Sequence, residues 1–70
     1  MFDKQYRVTL CGRHWKIAHN GFPAGDFPSG QAAAVKAETL AREAFGCGYD
    51  AELVIEDAHG RVRERRRFAR

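Results

Sequence analysis

Seventy residues allow one domain, and a chain of this size buries only roughly 60% of its unfolded surface, so any core must be small. With 44% hydrophobic and 30% charged residues the balance is globular, which excludes disorder along the whole length. The net charge of +3 is unevenly spread: residues 60–70 hold six arginines and one glutamate, whereas residues 1–59 hold six basic and eight acidic residues.

No apolar run approaches the roughly 20 residues needed to cross a bilayer, and "MFDKQYRV" lacks both the basic start and the apolar centre of a signal peptide. Cys11 and Cys47 are too few for a multi-bridge secreted scaffold. These features point to a cytoplasmic protein with free thiols and no membrane partner.

In chain order, "YRVTL" alternates with Tyr6, Val8 and Leu10 on one side, and "HWKIA" places Trp15 and Ile17 on one side. Both read as strands. Closing the loop "CGRH" sets Leu10 opposite Trp15, Val8 opposite Ile17 and Tyr6 opposite His19, with Trp15 expected at the centre of the core. The segment "NGFPAGDFPSG" holds both prolines and three glycines and reads as a connecting loop, with Phe22 and Phe27 plugging the end of the core.

From Ser29 the pattern becomes helical: a good N-cap, an alanine-dense run, and Gly46 and Gly48 suited to the C-terminal end. Ala33, Ala37, Leu40, Ala41 and Ala44 form the buried stripe, Val35 falls off it, and Glu38 and Arg42 stand at i, i+4. Mostly alanine, such a stripe lets a helix lie close to a sheet.

The last third reads as a hairpin turning at Asp57, Ala58, His59 and Gly60. A four-residue loop sets Glu56 opposite Arg61, Ile55 opposite Val62, Val54 opposite Arg63, Glu52 opposite Arg65, Asp50 opposite Arg67 and Tyr49 opposite Phe68. Arg61, Arg65 and Arg67 then gain cross-strand carboxylates. The outer face also receives Arg7, Thr9, His14 and Lys16 beside Arg63, whereas Tyr6, Trp15, Tyr49 and Phe68 share the core parity. The fold class expected is α+β, a single domain over 1–70 with a four-stranded antiparallel sheet in ββαββ order and one helix on one face.

From about Tyr6 to Phe68 the chain resembles a small bacterial family of unknown function, DUF twenty-one eighty-eight. The resemblance rests on Trp15-Lys16-Ile17, Phe27-Pro28-Ser29, Ala33, Ala37 and Leu40-Ala41, then "ELVI" and "HGRVRER". It implies a strand-strand-helix-strand-strand domain and supplies no catalytic or binding residues. Gln31, Ala32 and Ala34 at the helix start depart from the family pattern, as does the arginine density of the last strand.

Cys11 and His14 have the gap of a zinc half-site, but Cys47, His19 and His59 would have to converge from distant elements. The same Cys–His pair lacks an orienting residue and an oxyanion donor loop, and no glycine-rich phosphate loop is present. The reading is therefore non-catalytic, without metal or cofactor. A tail of +5 on a body of −2 hints at an anionic partner. Strand-based binders of single strands stack bases on exposed aromatic residues, which the inward parity withholds. The function expected is a protein-interaction or accessory module, as a monomer or weak homodimer. The alternative is weak, sequence-independent nucleic-acid binding through Arg7, Lys16, Arg63, Arg66 and Arg70.

Overall fold

Period-two alternation near the start of the chain builds the first hairpin in the register that parity demands. In the computed structural model, which describes residues 2–69, β1 (Lys4–Cys11) and β2 (His14–His19) pair antiparallel. Tyr6 faces His19, Val8 faces Ile17 and Leu10 faces Trp15, as expected. Gly12 takes φ 67° in the turn between them.

The next segment corrects the expected loop, because it contains a third strand, β3 (Phe22–Phe27), antiparallel to β2. Asn20 and Gly21 both adopt positive φ, 49° and 88°, as a two-residue turn matched to strand twist requires. Pro23 is tolerated because β3 lies at the sheet edge, where a missing N–H removes no interior ladder bond. A register irregularity at Ile17/Ala18 accommodates the segment. Phe27 packs against the core, but Phe22 is 74% exposed and plugs nothing.

Ser29 caps α1 (Gly30–Gly46), its Oγ accepting from the Ala32 N–H at 3.1 Å. The helix ends through bonds from the Gly48 N–H to Phe45 and from the Tyr49 N–H to Ala44, with Gly48 at φ 99°. Ala33, Ala37 and Ala41 are fully buried, while Leu40 and Ala44 are half-buried beside them.

Three strands before the helix, instead of two, reverse the chain once more, so the strand after the helix runs in the opposite sense to the one expected. β4 (Ala51–Glu56) accordingly pairs parallel with β1, and β5 (Val62–Phe68) pairs antiparallel with β4. The result is a five-stranded mixed sheet in the order β3-β2-β1-β4-β5, with element order βββαββ. It replaces the four-stranded antiparallel expectation but keeps the α+β class and the single helix on one face.

Val8, Ile17, Leu53 and Ile55 meet the alanine stripe to form the core. Trp15 is only half-buried and stands at the margin, against the start of α1, which corrects its expected central place. A Cβ on Gly30 would come within 3.1 Å of the Trp15 ring, so the first helical residue is small because the indole lies against it. β4 is buried on both sides although the helix covers only one. On the open side Val54 lies between its ladder partners Arg7 and Arg65, whose aliphatic stems can shield it while their charges reach water.

The last hairpin departs from its expected register by two residues, and two causes account for it. The loop runs over Asp57–Arg61, one residue longer than a four-residue turn, because the Asp57 carboxylate accepts the backbone N–H groups of both His59 and Arg61. A bulge between Ile55 and Glu56 adds the second residue: Glu56 faces Val62, Ile55 faces Glu64, and Arg63 is the extra residue. From Glu64 onward a shift of two preserves the faces, so Glu52 opposes Arg67 and Ala51 opposes Phe68. Before the bulge the faces change, and Val62 is 48% exposed instead of packed on Ile55.

Candidate interaction surface at the β5 flank

β5 ends the strand order, so alternate backbone N–H and C=O groups along it have no ladder partner. Its side chains divide between the two faces of the sheet. On the open face Arg65 and Arg67 converge on Glu52, at 3.7 and 3.3 Å, and the Gln5 amide donates to the same carboxylate at 2.9 Å. Glu52 is only 6% exposed. The Gln5 hydrogen bond, with Arg67 and Arg65 behind it, holds this carboxyl below the usual range against the opposing effect of burial. Arg7 pairs with Glu56 on the same face. Much of the arginine run is therefore sheet surface with its charge already answered.

On the helix side Arg66 binds Glu38 of α1 and Glu64 of its own strand, and Glu38 also meets Arg42 at 3.6 Å. Hydrogen bonding to Glu64, then the field of Glu38, pushes the Arg66 guanidinium further up. Between α1 and the β4–β5 hairpin lies an open groove of about 440 Å³. Trp15, Ala34, Val35 and Ile55 give it apolar walls, and Gln31, Glu56, Asp57 and Arg63 line it with polar groups. A smaller hollow of about 180 Å³ continues past Arg63 towards Glu38 and Arg66. The bulge turns Arg63 from the open face, where it was expected, to this groove. Among the described residues Arg61 and Arg63 make no ion pair within 4 Å.

The five basic residues singled out in the sequence do not form one patch. Arg7 and Lys16 stand on the open face, Lys16 opposite Asp26 of β3. Arg63 and Arg66 lie on the helix side, and Arg70 falls outside the described residues. Nor is the open side without an aromatic neighbour, since the Arg67 guanidinium lies 5.9 Å from the Phe2 ring centroid. The groove itself escaped the sequence reading. Its one early sign was Val35, off the buried stripe and 62% exposed.

Cys11 and His14 face each other across the first turn, and both are exposed, as is Cys47. Among the described residues no group of three or more His, Cys, Asp or Glu side chains is placed to hold a metal ion, and no helix is long and apolar enough to cross a membrane. The His19 ring stacks on Tyr6 at 4.8 Å with its buried Nε2 unbonded, and burial raises the Tyr6 hydroxyl. In comparisons with known proteins, the chain matches no family model, no curated protein and no solved structure.

Proposed function

We propose that this domain is a non-catalytic protein-interaction module that binds through the flank formed by α1 and β5. The observation that carries the reading is the open groove beside an unpaired edge strand, with apolar walls at Trp15, Val35 and Ile55 and a cation, Arg63, within it. Concave apolar surface with a few placed polar groups is the usual form of a recognition site. Trp15 is the only tryptophan in the chain, so its emission reports occupancy directly. In a selection of random peptides against the intact domain, binders should shift Trp15 emission and lose affinity for Val35→Lys. Selected peptides that bind while leaving both Trp15 and Val35→Lys indifferent would remove the groove from the reading.

Sequence-independent nucleic-acid binding is the second reading, favoured by the +5 charge of residues 60–70. Arg65, Arg66 and Arg67 already hold carboxylates, whereas Arg61, Arg63 and Lys16, among the described residues, make no ion pair and stay open to phosphate. Such contact is shallow and sensitive to salt. A duplex-DNA titration that stays tight at physiological salt would promote this reading above the first.

A further inference from the structure

The two edges of the sheet are protected in different ways, and the difference selects a partner. β3 is blunted by its backbone: Pro23 has no N–H, and the register breaks opposite it. β5 has neither proline nor glycine, and beyond the bulge at Arg63 its protection is charge. Charge is selective where proline is not. A second copy of this chain pairing antiparallel on β5 would set arginine against arginine in every centred register: about Arg65, Arg63 meets Arg67; about Glu64, Arg63 meets Arg65 and Arg61 meets Arg67. Like charges directly opposite are destabilising. An acidic strand meets the reverse condition at the hairpin end, where Arg61 and Arg63 make no ion pair within 4 Å and the bulge directs Arg63 to the groove, whose wall there also carries Glu56 and Asp57.

We propose that β5 is a docking edge for an extended acidic segment of another protein, added as a sixth strand, with a carboxylate at Arg63 and an apolar side chain over Val35. This rests on the interaction-module reading and names the partner's chemistry and mode. Main-chain bonds to the edge would supply affinity and side-chain pockets would supply specificity, as in other strand additions. The arginines oppose self-association through β5, although in the register about Arg65 each Glu64 also meets Arg66.

The test uses the intact, isotopically labelled domain and a short Glu- and Val-rich peptide. Three analogues accompany it: one with Lys for Glu, one with Gln for Glu, and one with a central proline that forbids strand pairing. Binding should shift the β5 amides and slow their hydrogen exchange. It should vanish for the Lys and proline analogues. Arg61→Gln together with Arg63→Gln, positions without ion pairs in the free domain, should weaken it about tenfold, two exposed ion pairs near the upper end of their usual strength. If the proline analogue binds as well as its parent, attraction is merely electrostatic and strand addition is wrong. If the Gln analogue equals the Glu peptide and shifts Trp15, the groove binds protein but the acidic partner falls. If none of the peptides perturbs β5 or the groove while single-stranded DNA does, the interaction-module reading falls with it.

Discussion

Replacing Glu52 by glutamine removes one charge and leaves its volume nearly unchanged, so it isolates the anion at the centre of the open face. That carboxylate accepts from Gln5 at 2.9 Å and meets Arg67 at 3.3 Å and Arg65 at 3.7 Å. A hydrogen bond to a charged group contributes about 1.5–3 kcal/mol, but the two arginine side chains are 59% and 45% exposed, and solvent screening reduces the gain. Because glutamine retains a bond to Gln5, a loss of about 1–2 kcal/mol at pH 7 is expected. For a domain of this size that lowers Tm by roughly 5–15 °C. The pH dependence fixes the cause. A carboxyl whose folded pKa lies below its unfolded value adds stability above about pH 4.3 and loses it as pH falls through the lower, folded value. Melts followed by circular dichroism at pH 7 and again near pH 3 should therefore show the gap between parent and variant narrowing in acid. An equal deficit at both pH values, or none at pH 7, would refute the assignment of Glu52 as an ionised hub.

Leu53→Ala removes a fully buried side chain from the strand shared by both halves of the sheet, and should cost about 2–5 kcal/mol in urea denaturation, enough to unfold much of the population. Gly30→Ala sets a methyl 3.1 Å from the Trp15 ring, so the indole must move; a change in Trp15 emission with a loss of about 1–3 kcal/mol is expected. Gly21→Val, at φ 88°, should loosen the β2–β3 hairpin and raise amide exchange in β3 before β1 or β4.

The parts of the fold legible in the sequence were those decided locally. The first hairpin's register follows from loop length and parity, and the helix from a serine cap and an alanine stripe, because each depends on neighbours a few residues apart. β3 is obscured because Pro23 and Gly25 break an interior strand, whereas an edge position tolerates both and Asn20-Gly21 marks the turn before it. The direction of β4 depends on that extra strand, and so is hidden with it. The last hairpin slipped because one side chain, Asp57, gathers the loop, and composition does not foretell a bulge. The groove depends on how far α1 stands from β5, a relation between elements that no local pattern encodes.

The parallel pairing of β1 with β4 joins residues 4–8 to residues 51–55, so the centre of the sheet is also its most distant connection in the chain. The β1–β2–β3 meander and the β4–β5 hairpin each close through short loops, so the largest loop-closure cost falls on joining these two units across β1 and β4. Until they meet, the "AELVIE" strand has no partner on its β1 side and is the segment most prone to cross-chain aggregation. Glu52 and Glu56 within it, and the arginines that follow it, then act as gatekeepers during synthesis, repelling like strands until β1 is joined.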